Sequence, residues 1–533
     1  MNFTASRLSY HQTGYFSKTV TDYLSGDPNI RPFYQHPVSI EGMKAAIRQR
    51  KNFVVDRTLL VNELSKQYES IPVSDAVKEN IHKLLSPDTF TICTAHQSNI
   101  FTGPLYFIYK ILHTVKLAGD LKKELPQYDF VPVYYMGSED ADLEELNNIT
   151  IQGNKLVWQT NQTGAVGRMV VDDELLKIIH AIHGQIGVLP NGSELVEIFK
   201  ECYRKGVTIQ QATLALVNRL LGDLGVLILI PDNAALKKSF EKVIKKELLE
   251  GFSHPIVEKT SAALSKHYKV QASGRAINLF YLTDNKRERI EKSNGQYIIH
   301  NQPLRFSEEE MIKELEYHPE RFSANVILRG VFQETILPNI AFIGGGGEVA
   351  YWLELKNVFE AVQVPYPMLI LRNSFLLMNA DQKEKLKKLD LSIEELFLPE
   401  LELMNGLVRK SSKHDLSLQK EITELNNLYS QLKQKAVSID KTLLPHIDSL
   451  LVKAQKRMHE LEKKILRAEK RKYETAQHQL HHLKQVLFPG NGLQERIENI
   501  AYFYAVYGKE WLSVLLENSP GLEQEFVVLS PND

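Results

Sequence analysis

The chain has 533 residues, enough for three to four structural units of ordinary domain size and a sizeable buried core. Its 64 Lys plus Arg against 65 Asp plus Glu leave a formal charge of -1, so no global basic field exists to gather nucleic acid or an anionic membrane. Hydrophobic residues at 43% and charged residues at 24% exclude a largely disordered chain.

Two cysteines, Cys93 and Cys202, are too few for a disulfide framework or a cysteine zinc site, and both sit among apolar neighbours. A cytoplasmic setting is expected. Met1 to Ser17 lacks an apolar core flanked by basic residues, and no apolar run approaches the roughly 18 residues that span a bilayer. Neither secretion nor membrane insertion is expected.

In chain order, Thr89 to Thr94 reads as a short apolar strand. Thr102 to Leu125 then places Leu105, Ile108, Ile111, Leu112, Val115 and Leu117 at near-helical spacing, and Phe130 to Met136 reads as a second strand. That is a βαβ unit, the building block of a parallel sheet. A third strand is predicted at Leu224 to Ile230, before Pro231-Asp232-Asn233, and a fourth at Met368 to Leu371, before Arg372-Asn373-Ser374. The fold class is therefore α/β with an open sheet, and ligands bind such sheets outside the carboxyl ends of the strands.

Three segments at those ends can carry chemistry. The first is Ala95-His96-Gln97-Ser98-Asn99-Ile100-Phe101-Thr102-Gly103-Pro104, between the first strand and its helix. Free amides at a helix start attract phosphate or carboxylate, and Gly103 permits close approach; the plain alternative is a helix start capped by Thr102. Lys110 lies about two turns inside the helix, where a solvated surface lysine is the simpler reading. The second segment, Ser138-Glu139-Asp140-Ala141-Asp142-Leu143-Glu144-Glu145, holds five carboxylates in seven residues. They could hold Mg²⁺, accept a substrate ammonium or act as a general base, or form an acidic first helical turn. The third is Gly344-Gly345-Gly346-Gly347-Glu348, ahead of a helical pattern from Val349 to Ala361. Consecutive glycines mark backbone closely surrounding a ligand, or a mobile loop. Arg329, Gln333 and Glu334 precede Pro338-Asn339, and Arg372 could pair bidentately with an anion or form a structural ion pair.

From Leu418 the texture changes. Leu418, Leu425, Leu432 and Ile439 recur every seven residues, interleaved with Ile422, Tyr429, Ala436 and Leu443. After Pro445 a second register runs from Leu451 through Ala454, Met458, Leu461, Ile465 and Ala468 to beyond Leu480. Two long helices are predicted, packed as an intramolecular hairpin or as a homodimer contact, and the tail from Leu493 reads as helical.

Three runs, Thr94-Ala95-His96-Gln97 to Thr102-Gly103-Pro104-Leu105-Tyr106, Val131-Pro132-Val133-Tyr134-Tyr135 with Ser138-Glu139-Asp140, and Phe342 to Trp352 across the glycines, resemble the cysteine ligase family of bacillithiol biosynthesis. So do Leu487-Phe488-Pro489 and Leu493-Gln494-Glu495-Arg496 with Asn499. The resemblance stretches from about residue 90 to residue 510 in the family's order. It implies a Rossmann-like parallel-sheet core, related to class I synthetases, over 1–385, with connecting insertions at about 150–220 and 255–325. It further implies a coiled-coil arm over 386–486, mediating dimerisation, and a C-terminal helical segment over 487–533 that packs back on the core.

The implied reaction joins the carboxylate of cysteine to the amine of glucosaminyl-malate, through an adenylate or acyl phosphate, with ATP and Mg²⁺ as cosubstrate. His96, Gln97, Glu139 and Asp140 are the candidate catalytic residues. Candidate binding residues are Ser98, Thr102, Gly103, Lys110, Asp142, Asn147, Arg329, Gln333, Gly345, Gly346, Gly347, Glu348, Tyr351, Arg372 and Asn373. No residues are assigned to a resident metal. The family's acidic motif carries a histidine where this chain has Ala141, and another where it has Asn148. A non-catalytic nucleotide-binding or scaffold protein, and an adenylate-forming ligase with another amine acceptor, are the alternatives.

Overall fold

A computed structural model describes residues 3–532, which form two compact units. The larger takes in residues up to 11, 15–377 and 492–532; the smaller takes in 12–14 and 378–491.

The larger unit is organised by a five-stranded parallel sheet: β1 (Thr89–Gln97), β2 (Asp129–Gly137), β3 (Leu227–Leu229), β4 (Asn339–Gly344) and β5 (Met368–Leu371). Across the sheet the order is β5-β4-β1-β2-β3. The chain builds outward from β1 in one direction, then returns to β1's other flank, so a topological switch point lies between β1 and β4. The strands are near-continuous apolar runs because both faces of the sheet are covered. On one face Phe90, Ile92, Phe130, Ile340, Ile343, Met368 and Ile370 pack with Leu117 and Leu121 of helix α1 (Tyr106–Glu124) and with Met43 and Ile47. On the other, Phe342 stacks on Trp352 at 4.3 Å between ring centroids. Each such buried side chain contributes about 1.5–3 kcal/mol.

Four strands were legible locally; the fifth, β4, is hidden in the sequence by the glycines that follow it. Its run Ile340 to Ile343 is wholly buried, and its register fixes the site: Ile343 lies opposite Thr94 of β1, and Gly344 opposite Leu371 of β5.

Between β2 and β3 the chain forms the hairpin Asn148–Ile151/Asn154–Val157 and three longer helices, Asp173–Ile186, Gly192–Cys202 and Ile209–Leu221. Between β3 and β4 it forms an antiparallel sheet whose strands run from Leu279–Thr283 to Phe322–Ala324. The tail differs from the helical expectation. After helices Ile500–Tyr507 and Glu510–Asn518, residues Glu525–Pro531 are a strand, antiparallel to Phe3–Ser9 and parallel to Ser374–Leu377. Its buried run Phe526 to Leu529 finds both partners far away in sequence, which local patterning cannot register.

In the smaller unit, helices Gln419–Val437 and Leu444–Lys470 pack together, with Pro445 in the first turn of the second, where its missing N–H costs nothing. Asn426 bonds Gln455 and Lys433 pairs with Asp448, so the partners converge toward the connecting turn and the helices are antiparallel. The predicted second long helix is interrupted at Arg471–Tyr473 and resumes as Glu474–Leu487. Ile422 and Ala436 of the heptad pattern are buried, whereas Leu432 and Ile439 stay 42% and 81% exposed.

Candidate active site

The carboxyl ends of all five strands meet one edge, and most of the residues singled out in the sequence lie along it. At the switch point, β1 ends in His96 and Gln97, whose carbonyls both accept from the Tyr134 hydroxyl, at 3.1 and 3.2 Å. The His96 ring packs against Tyr106 and Phe107, and its Nε2 is buried with no hydrogen-bond partner. Desolvation holds this imidazole well below its ordinary pKa, and the charges of Lys110, Arg329 and Arg372 push it further in the same direction. Burial and the fields of three cations thus act together to favour the neutral imidazole.

Each cation has its own carboxylate. Lys110 is 1% exposed, not a solvated lysine: α1 carries it under the switch point, where Nζ donates to the Ala95 carbonyl at 2.7 Å and pairs with Glu348 at 2.5 Å. Burial draws its pKa down while Glu348 works to keep it charged. Glu348 also accepts from the Gly345 amide at 2.8 Å, so the glycine segment is an ordered helix start, with helix α3 running Gly346–Trp352. A Cβ on Gly344 would strike the Phe342 ring, one on Gly345 would lie 3.6 Å from Arg372 Nε, and one on Gly347 would meet open space. Arg329, from helix α2 (Val326–Ile336), binds Asp140 at 2.9 Å, with Tyr351 nearby. Arg372 lies over the Tyr106 ring and pairs with the buried Glu495 at 2.7 Å.

The backbone after β1 is strained. Phe101 and Thr102 have φ of 47° and 72°, left-handed values that are costly for an aromatic and especially for a β-branched residue. Thr102 does not cap α1; the helix begins at Tyr106 with no side-chain cap. A Cβ on Gly103 would lie 2.8 Å from the Asn99 side chain, so glycine is required for the loop to close on itself. Ser98 Oγ, Thr102 Oγ1 and Ser138 Oγ are, like His96 Nε2, buried without a hydrogen-bond partner among the described residues. Buried polar atoms left in that condition are rare, and their concentration at the ends of β1 and β2 suits a ligand with donors and acceptors.

The acidic motif is arranged differently. Glu139 pairs with the buried Lys237 and accepts from Ser323 Oγ at 3.1 Å. Lys237 reaches Asp232 at 3.4 Å, and Arg168 grips Asp232 with bonds of 2.6 and 2.7 Å. Burial tends to raise the Asp232 carboxyl, but Arg168 and Lys237 take it below the ordinary carboxylate range. Asp140, besides Arg329, faces Arg287 at 3.7 Å. This is an alternating chain of charges. No group of three or more His, Cys, Asp or Glu among the described residues is placed to hold a metal ion, so the donor set does not fit a protein-held Mg²⁺.

Four expected residues fall outside this arrangement. Asp142 is exposed at the start of the short helix Leu143–Leu146, and Asn147 closes that turn, its backbone carbonyl accepting from the Trp158 amide at 2.7 Å. Gln333 bonds Glu334 in an internal network with Arg50 and Asn339, toward the amino end of β4. Asn373 turns into the tail, where its amide bonds Ser519 and the Pro520 carbonyl. Conversely, Tyr106, Tyr134, Arg168, Lys237, Arg287 and Glu495 join the site without having been singled out by their chemistry. Asp232 and Glu495 had positional signals, a strand end and a familiar run; Arg168 and Arg287 lie in the insertions and had none. Cys93 is buried in β1, and desolvation pushes its thiol well up, as for a core residue.

The family model described as Bacillithiol biosynthesis BshC, N-terminal Rossmann-like domain, matches residues 3–373, and its C-terminal coiled-coil domain matches 375–531. A protein of Flavobacterium johnsoniae named "Putative cysteine ligase BshC" is 40% identical over 527 residues, covering 98% of this chain and 99% of that one. Relatives with the same name from Christiangramia forsetii and Bacillus cytotoxicus are 39% and 26% identical, over 98% and 94% of this chain and 98% and 95% of their own lengths. No helix among the described residues is long and apolar enough to cross a membrane.

Proposed function

We propose, from the premise that the chain belongs to the bacillithiol biosynthesis BshC family, that it is a ligase joining the cysteine carboxylate to the amine of glucosaminyl-malate. The observation that carries the reading is the buried, unpartnered His96 Nε2 at the switch point, with Lys110 bonded to the neighbouring Ala95 carbonyl and Arg372 over the Tyr106 ring that His96 packs against, beside other buried polar atoms without partners. A carboxylate is a poor electrophile. Its attack on a phosphate of ATP gives an acyl phosphate with ADP, or an adenylate with pyrophosphate; attack by the amine then forms the amide and releases phosphate or AMP.

The chain's own part is to hold and orient. Lys110, Arg329 and Arg372 lower the cost of gathering anionic groups at this edge. Neutral His96 has a free ring nitrogen suited to a hydrogen bond with a polar group of the substrate. Gln97, Ser98, Thr102 and Gly103 shape the cradle beside it, and Glu348 holds Lys110 in place, with Tyr351 beside Arg329. Glu139 and Asp140 orient Lys237 and Arg329.

The test is turnover of purified protein with cysteine, glucosaminyl-malate and ATP-Mg²⁺, with bacillithiol read by mass spectrometry and adenine nucleotides in the same samples. Product with matching ADP or AMP is expected, and nucleotide consumption without product would overturn the acceptor. The exposed apolar residues Leu432, Ile439 and Leu461 support a homodimer built through the long helices. Leu432→Lys with Leu461→Lys should give a monomer by light scattering, and a surviving dimer would remove that contact.

A further inference from the structure

The strained turn after β1 raises the question of what holds it. Phe101 and Thr102 persist in left-handed backbone only if their surroundings over-determine that conformation. Part of the restraint is local: the Phe101 amide donates to the Tyr203 hydroxyl at 2.8 Å, and the Phe101 ring packs on Tyr203 and Phe199. The rest comes from nearly four hundred residues downstream, in the segment that follows the second unit in sequence. Asn499 is fully buried; its Nδ2 donates to the Phe101 carbonyl at 2.8 Å and to the Gly103 carbonyl at 2.5 Å, on either side of Thr102. Next to it, the Leu105 amide donates to the Glu498 carbonyl at 2.8 Å.

The orientation of that amide group is itself fixed. Asn499 is the N-cap of helix Ile500–Tyr507, where Oδ1 accepts from the Ala501 amide at 2.9 Å, which turns Nδ2 toward the loop. One side chain thus performs two separable tasks: its oxygen caps a helix, and its nitrogen ties together two carbonyls of the turn that presents His96, Gln97 and Ser98.

We propose that Asn499 is a positioning residue for the candidate site, holding the 98–103 loop in the geometry that aims Ser98 and Thr102 and backs His96. The inference rests on the proposed reaction only for its consequence in turnover; the restraint on the loop stands apart from it. Two variants divide the tasks. Asn499→Asp keeps an oxygen to cap the helix but sets carboxylate oxygen against two carbonyls, and Asn499→Ser keeps a cap while being too short to bridge both carbonyls.

The experiment is hydrogen exchange on the full chain, comparing peptides over 98–105 and 500–507, together with kcat and KM. Exchange in 98–105 is expected to rise at least tenfold in both variants, with 500–507 keeping its protection and kcat falling at least tenfold. Unchanged exchange in 98–105 would overturn the proposal by marking Asn499 as a cap alone, and so would protection lost equally in both peptides, which would mark a general loosening of the chain. If Asn499→Asp does not fold, Asn499→Ser, which adds no charge, carries the same test. A wild-type protein that makes no product would sink the proposed reaction, yet the exchange comparison would still decide the role of Asn499.

Discussion

The two sides of the sheet's carboxyl edge are built on opposite plans. Around β1 and β4, cations converge on an uncharged imidazole, polar atoms lie buried without partners, and the backbone is strained. Around β2 and β3, Arg168, Asp232, Lys237 and Glu139 pair with one another and Asp140 with Arg329, and Ser138 Oγ at the end of β2 is left unpartnered beside the first side. A satisfied buried network rigidifies; a partly satisfied one is poised for something else to complete it. The difference teaches that a dense acidic motif at a strand end need not be a metal site, and that the first side is where chemistry should be sought.

The largest effect is expected where a buried pair supports the first side. Glu495→Ala leaves Arg372 without its carboxylate in a site where the two side chains are 0% and 4% exposed, and should cost about 3–5 kcal/mol in denaturant unfolding. A loss under 1 kcal/mol would mean that Arg372 is already open to solvent or counter-ion.

Two histidines on that side sharpen the contrast between occupied and unoccupied polar atoms. His113 has partners at both nitrogens, the Gly521 carbonyl at Nε2 and the Asn373 amide at Nδ1. Burial takes its pKa down to about 4, with Asp120 and Glu523 acting weakly the other way. The unfolded chain therefore binds the proton more readily, and stability present above pH 6.5 falls as pH drops toward 4, by up to about 3 kcal/mol. His113→Gln should flatten the pH dependence of unfolding in that window; an unaltered slope would assign it to other groups. His96, with Nε2 unpartnered, should show its main effect in chemistry: His96→Ala is expected to lower turnover per folded molecule by about 100-fold or more.

On the second side stability should respond before chemistry. Glu139→Gln weakens the hold on Lys237, which is 2% exposed, and should cost about 1–3 kcal/mol, with a smaller loss of turnover per folded molecule than His96→Ala. The reverse ranking would break the comparison. The smallest effect belongs to exposed Asp142: Asp142→Asn should alter stability by less than about 0.5 kcal/mol and leave turnover at the wild-type value in the same assays.

Much of this edge was readable in advance, because a parallel strand buried on both faces is a short apolar run and its end is where polar residues resume. Thr89 to Thr94, Phe130 to Met136 and Met368 to Leu371 carry that signal, and with it His96, Glu139 and Arg372. The glycines, expected to surround a ligand closely or to form a mobile loop, are an ordered helix start, and they concealed β4 before them. The side-chain partners were not readable. Nothing near Lys110 in the sequence says that it is buried against Glu348, and nothing near Arg168 or Arg287 ties them to β2 or β3.

The sequence by itself determined the class of fold, the paired long helices and the strand ends at which a site could form, since period, length and turn residues are local properties of the chain. Tertiary structure alone decided the strand order and its switch point, the union of the tail strand with Phe3–Ser9, and which carboxylate neutralises which cation. Those outcomes depend on distances between residues remote in the chain. An ion pair such as Arg372 with Glu495, or the tie from Asn499 to Phe101, exists only once packing has brought its members within hydrogen-bond reach and excluded the water that would otherwise compete for them.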